Sequence, residues 1–282
     1  MDISKWQNYL EVFWMKRLTA LLSFLILTIG VLAAGCGGDK NNPKAVYKAV
    51  VKDELVVATE ASFAPFEFYG KEPGKMIGFD VDLIRAIAKE IGYKECTIRH
   101  MDFDNLIPAV NSDKVDLVIA GLSITEERQR LVLFSRPYYK SGLAFAVRKE
   151  ITDIKTFDDL KDRTVAVQKD TTGAAYGEKL KAKGAVLKPF DTTEEAFMVL
   201  EKKQADAVIC DLPVLQYFLK NGGSEYAKLV GEHLTSEDYG IVVSKKNQNL
   251  VKAVDHALEV LKKNGTYDKI YDTWFGKGID KK

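Results

Sequence analysis

The chain has 282 residues, with 41 Lys+Arg against 40 Asp+Glu and three each of His, Cys and Trp. That length exceeds one ordinary core and suits about two domains, and 46% apolar with 29% charged residues excludes a disordered chain or a multi-span membrane protein. A net charge of +1 without a basic run excludes an electrostatic case for nucleic acid, and neither Cys36, Cys96 and Cys210 nor His100, His233 and His256 show metal-site or redox-motif spacing, so no metal or cofactor is expected.

The N-terminus reads as an address. Leu18–Ala34 carries no charge and follows Lys16-Arg17. It falls short of the roughly 20 residues that a bilayer span needs and matches a signal peptide with a basic start, an apolar middle and a small-residue exit. The exit, Leu32-Ala33-Ala34-Gly35-Cys36, resembles the lipobox of bacterial lipoproteins. There the Cys thiol takes a diacylglycerol and becomes the mature N-terminus, so Cys36 is the expected lipidation residue. Ala33 stands where Leu is commonest. Met15-Lys16-Arg17 is a complete signal start by itself, which leaves residues 1–14 either a working segment or an upstream start site. Removal of residues 1–35 takes away Trp6, Trp14 and five charged residues (Asp2, Lys5, Glu11, Lys16, Arg17) and leaves the mature charge balanced. Residues 36–52, with Asn41-Asn42-Pro43, read as a polar tether.

Beyond the tether, short β-rich runs alternate with helical patterns, which predicts an α/β architecture with largely parallel sheets. Leu55–Ala58 is a buried-strand run. Asp80–Gly92 places Leu83, Ile84, Ile87, Ala88 and Ile91 at helical spacing, with acids at its start and Gly92 as a stop. Val115–Ala120 is a strand ending at Gly121. Thr164–Val167 is a strand leading through Asp170-Thr171-Thr172-Gly173 into a helix from about Ala174. Glu194–Lys203 reads as a helix, and Ala205–Ile209 as a strand ending at Cys210-Asp211. Val115-Asp-Leu-Val-Ile119 and Ala205-Asp-Ala-Val-Ile209 rhyme, so two similar lobes are expected: 53–142 and 239–282 in the first, 143–238 in the second. Gly142–Val147 and Tyr239–Val243, both extended and apolar, are the expected crossings, with a ligand cleft where strand C-termini converge.

Several motifs stand in a telling order. They are Phe63-Ala-Pro-Phe-Glu-Phe68, Gly78-Phe-Asp-Val-Asp-Leu83, Gly121-Leu-Ser-Ile-Thr-Glu-Glu-Arg128, Val165-Ala-Val-Gln168 with Thr171-Thr-Gly173, Ala205-Asp-Ala207 with Asp211, Asn264-Gly-Thr-Tyr-Asp268 and Trp274-Phe-Gly276. Over residues 53–276 the chain resembles the polar amino-acid-binding proteins of ABC importers, the family 3 type of extracellular solute-binding protein. The resemblance implies a type II periplasmic-binding-protein-like fold: two α/β lobes joined by two hinge strands.

It also implies a site for a zwitterion. Arg128 would fork onto an α-carboxylate, since its rigid N–H donors suit a bidentate partner. Gly121, Ser123, Thr171 and Thr172 would complete that cradle with loop and helix-start donors, and Asp211 would take the α-ammonium. Phe63 and Phe103 match the positions that sandwich the ligand side chain; Phe66 and Phe68 read as core. Glu60 and Gln168 match the positions facing the side chain's end. Glutamine-specific relatives resemble the chain around Met101-Asp102-Phe103 but commonly have Asp and Lys at that pair, and some carry His where Cys210 stands. A carboxylate there disfavours acidic ligands, and glutamine, arginine, lysine and histidine stay open.

The expected function is a non-enzymatic, monomeric, lipid-anchored protein outside the cytoplasm, which captures a free amino acid by hinge closure and delivers it to an ABC permease. The alternatives are an enzyme on the same fold, of the cyclohexadienyl dehydratase kind with Glu60 as proton donor, and a ligand-sensing module. Cys96 and Cys210 are expected to stay unpaired, in different lobes.

Overall fold

The computed structural model describes residues 53–231 and 233–276. The signal segment, Cys36 and the tether fall outside the described residues. Among the described residues, no helix is long and apolar enough to cross a membrane.

The chain opens with β1 (Glu54–Thr59), then β2 (Ser62–Phe63), β3 (Glu67–Tyr69) and β4 (Met76–Ile77), which form a small antiparallel sheet in the order β2-β3-β4. Helix α1 (Phe79–Ile91) buries Val81, Leu83, Ile84, Ile87, Ala88 and Ile91 along one face, the stripe that its apolar spacing predicts. Gly92 ends it in the left-handed region at φ 109°, its N–H donating to the Ala88 carbonyl. There follow β5 (Glu95–His100), α2 (Leu106–Asn111), β6 (Leu117–Val118), α3 (Glu126–Leu131) and β7 (Leu133–Phe134).

The chain then crosses through β8 (Tyr139–Ser141) into β9 (Leu143–Arg148), β10 (Thr164–Gln168), α4 (Thr172–Lys181), β11 (Val186–Phe190), α5 (Thr193–Glu201), β12 (Ala207–Asp211), α6 (Leu212–Lys220) and β13 (Ala227–Val230). It comes back through β14 (Glu237–Tyr239) to β15 (Val242–Val243), α7 (Gln248–Lys263) and α8 (Thr266–Phe275). Two five-stranded sheets result, β5-β1-β6-β15-β7 and β11-β10-β12-β9-β13. Helices α7 and α8 return to pack on α1 of the first lobe.

Both sheets are largely parallel, as expected, with one reversed strand in each. β1, β5 and β6 run parallel, as do β10, β11 and β12, but β15 and β9 each enter antiparallel. The crossings differ from the expectation. Leu143–Val147 is buried throughout and sits between β12 and β13, because an uninterrupted apolar run needs cover on both faces. Val242–Val243 likewise sits inside the first sheet. The segments that cross are β8 and β14, which pair antiparallel with each other and expose part of their length. Beside them lies an aromatic cluster: Phe66 meets Tyr139 at 4.9 Å and Tyr239 at 5.2 Å, and Phe275 meets Tyr139 at 5.0 Å between ring centroids. Each such pair contributes about 0.5–1.5 kcal/mol beyond its buried area.

Candidate ligand-binding site

The parallel strands β1, β6, β10 and β12 end on one cavity. Glu60 follows β1, Gly121 and Ser123 follow β6, Gln168 ends β10 and Asp211 ends β12. All ten residues singled out from sequence line this cavity: Glu60, Phe63, Phe103, Gly121, Ser123 and Arg128 from the first lobe, Gln168, Thr171, Thr172 and Asp211 from the second.

Arg128 lies in α3, whose N-cap Thr125 accepts from the Arg128 backbone N–H. Its Nη1 donates to the Ser123 carbonyl at 3.0 Å and its Nη2 to the Asp170 carbonyl, across the cleft, at 3.1 Å. The guanidinium also stands 5.4 Å from the Phe103 ring centroid, within cation–π reach. Burial pushes its pKa down, partly offset by Glu237 and Asp211. Two of its five N–H donors are thus spent on carbonyls, and the others can serve a bidentate acceptor.

Asp211, only 8% exposed, accepts from Ser141 Oγ at 2.9 Å. It occupies the N-cap position of α6 without a side-chain capping bond, so its carboxylate remains at the cavity wall. Burial raises its pKa to about 7. Glu60 is 2% exposed; its Oε2 accepts from Ser62 Oγ at 2.8 Å and from Gln168 Nε2 across the cleft at 3.4 Å. Its Oε1 has no hydrogen-bond partner, and burial raises its pKa. Gln168 is oriented by donating to the Asp191 carbonyl and accepting from Thr193 Oγ1.

Gly121 adopts φ 51°, and a Cβ there would come within 2.6 Å of the Phe63 ring; glycine is what lets Phe63 seat against this turn. Thr171 caps α4, accepting from Ala174 N–H and donating to the Gln168 carbonyl. Thr172 and Gly173, the first residues of α4, line the cavity wall beside it.

Sequence reasoning missed Glu237. Its Oε2 accepts from Ser123 Oγ at 2.5 Å and Thr172 Oγ1 at 2.8 Å, and its Oε1 from Thr235 at 2.8 Å. The Ser123 and Thr172 hydroxyls are therefore committed to a crossing strand, and nothing in the polar run Ser236-Glu-Asp238 signals that. Lys169 was missed too; it pairs with Asp104 across the cleft at 3.2 Å and with Asp191 of its own lobe at 2.8 Å. Glu67 lines the cavity with no exposure at all, and its place between Phe66 and Phe68 was a readable sign of a buried acid. Cys96 and Cys210 are free thiols, on β5 of one sheet and β12 of the other. Among the described residues, no group of His, Cys, Asp and Glu is placed to hold a metal ion.

Residues 55–277 match the bacterial extracellular solute-binding proteins, family 3. The chain belongs to that family. The arginine-binding periplasmic protein of Mannheimia haemolytica is 37% identical over 227 residues, 78% of this chain and 91% of the relative. The putative ABC transporter arginine-binding protein 2 of Escherichia coli is 36% identical over 235 residues, 81% of this chain and 93% of the relative. Among solved structures, an ancestral arginine-binding protein is similar in two complexes. The one bound to arginine has TM-score 0.77 and 45% identity over 80% of this chain and 99% of its own; the one bound to glutamine has 0.76 and 44% over 80% and 100%. An ancestral amino acid-binding protein, a precursor of cyclohexadienyl dehydratase, has TM-score 0.74 and 36% identity over 83% and 99%. The two-lobed fold of this chain is that of these family members.

Proposed function

We propose that the protein captures a basic amino acid, arginine foremost, by closing its lobes, and delivers it to an ABC permease outside the cytoplasm while anchored by lipid at Cys36. The observation that carries this reading is the charge of the cavity: one guanidinium, Arg128, stands against the carboxyl groups of Asp211 and Glu60, drawn from both lobes, with that of Glu67 buried behind them. An arginine zwitterion matches it group for group, with its α-carboxylate on Arg128, its α-ammonium on Asp211 and its guanidinium on the unpartnered oxygen of Glu60. Because the ligand touches both lobes, its binding shifts the population toward the closed form. The names of the relatives and the arginine-bound ancestral structure agree with this ligand class. The same reading takes residues 1–35 as a signal peptide, 36–52 as a tether, and 142/143 and 238/239 as the lobe bounds, supported by the β8–β14 crossing.

Calorimetric titration with arginine, lysine, histidine, glutamine and glutamate tests it. Arginine should bind tightest, glutamine more weakly and glutamate last, because a carboxylate would face Glu60. Glutamate binding as tightly as arginine would overturn the assignment.

One observation favours a second reading. Glu60 is a buried acid with a raised pKa in a cleft, the condition of a general acid, and one similar structure is a precursor of cyclohexadienyl dehydratase. Turnover of prephenate by the purified protein would establish it; the amino-acid cradle of Arg128 and Asp211 supports binding instead.

A further inference from the structure

Beneath the cavity lies a second pair of acids that the binding reading does not use. Gly78, at φ 140°, has no room for a Cβ, which would sit 1.9 Å from the Phe66 carbonyl oxygen. That close approach lets Asp80 N–H bond the Phe66 carbonyl at 2.9 Å and brings the start of α1 against β3. Asp80 and Glu67 are both 0% exposed and lie within hydrogen-bond reach of each other. Asp80 Oδ2 is fully engaged: it accepts from Gly121 N–H at 2.9 Å and from Tyr138 Oη at 2.7 Å. Asp80 Oδ1 and both oxygens of Glu67 have no other donor.

Two fully buried carboxyl groups side by side repel if both are ionised, and one proton between them supplies a donor where three of their oxygens have none. We propose that Glu67 is a neutral carboxylic acid donating its hydrogen bond to Asp80 Oδ1, and that this pair positions both the cradle turn at Gly121 and the start of the crossing at Tyr138. The charged groups that act on Glu67 are Asp80, Glu60 and Asp211, all carboxylates. Tyr138 faces Asp80 as a neutral donor, its own ionisation pushed well up by burial and by Asp80. Burial and then the Asp80 charge hold the Glu67 pKa well above the usual range, whereas burial raises Asp80 only to about 6. Asp80 already accepts from two donors, which favour its charged form, whereas Glu67 has none, so the proton resides on Glu67. Its neutrality also matters to the ligand: Arg128, Asp211 and Glu60 leave one unit of negative charge for a cationic side chain, and an ionised Glu67 would add an uncompensated second.

This inference rests on the proposed binding function only in its affinity measurement. The deciding experiment is the infrared difference spectrum, at pH 7 without ligand, between the wild-type protein and E67Q. A carboxylic-acid C=O band present in the wild type and absent in E67Q is expected; its absence from the wild type overturns the proposal. E67Q, which can still donate to Asp80, should fold and bind arginine at least about tenfold tighter than E67A, the value of one buried hydrogen bond. An E67Q protein that does not fold, or binds no better than E67A, also overturns it. A protein that shows the band but binds no amino acid would refute the binding function and leave the proton pair standing.

Discussion

On the first-lobe wall of the cleft, most bracing of the cavity groups comes from inside that lobe, with Ser123 Oγ also held by Glu237 of β14 and Arg128 also reaching the Asp170 carbonyl. Asp80 holds Gly121, Thr125 caps the turn that carries Arg128, and Arg128 itself grips the Ser123 carbonyl. On the second-lobe wall, Gln168 and Thr171 are held within the lobe, but the charged group is held by a crossing strand: Ser141 of β8 donates to Asp211, and Thr172 donates to Glu237 of β14. A wall braced internally keeps its geometry when the lobes part, whereas a wall braced by the hinge is re-set by hinge motion. Under the proposed closure, Arg128 of the first lobe would receive the ligand and Asp211, held by β8, would clamp it.

The sharpest way to break this comparison is to delete one charge from each wall. R128A and D211A should each cost about 3–5 kcal/mol of arginine binding, because each strands a buried partner charge. D211A should keep a weak residual encounter with the first lobe, while R128A should keep none. Calorimetry reads both, and equal residual binding would erase the distinction.

Proton linkage comes next. The Asp211 pKa, about 7 in the folded protein against its ordinary 3.8, means that the ligand-free protein takes up a proton on folding. That stability is full below the unfolded value and is lost as pH rises through about 7. Binding an ammonium needs the ionised form, so arginine affinity should fall by about tenfold per unit as pH drops below 7. Titration from pH 5 to 8 checks this, and a flat profile would remove Asp211 from the ammonium role.

Smaller effects test the bracing itself. The Ser141 bond favours the charged form of Asp211, so S141A should weaken arginine by about 1 kcal/mol and move the pH midpoint of binding upward. D104N removes the half-exposed Lys169 bridge across the cleft. Exposed pairs contribute about 0–1 kcal/mol, so a roughly fivefold faster ligand release in stopped-flow measurements is the most that is expected.

How much was legible follows from the range of each interaction. The α1 stripe with its Gly92 stop and the strand run that ends at Cys210-Asp211 are local patterns, so the chain alone reveals them, whereas the Thr171 cap and the true start of α4 at Thr172 were not read from it. The ten cavity residues were found through ordered motifs, and the fold brings all ten to one cavity. Leu143–Val147 was misplaced as a crossing because an apolar run records that it is buried, not which sheet buries it. Glu237 and Lys169 escaped because their partners lie across the cleft, 114 residues away in the case of Ser123 and Glu237.

What the amino-acid sequence by itself determined, then, is the α/β alternation, the two-lobed plan and the residue types of the cavity. Those rest on periodicity, on short motifs and on the chemistry that a zwitterion demands. Only the tertiary structure decided which strands cross, which carboxylates are stripped of water and which of them share a proton. Desolvation and hydrogen-bond satisfaction are properties of a place in the fold, and no single position in the chain carries them.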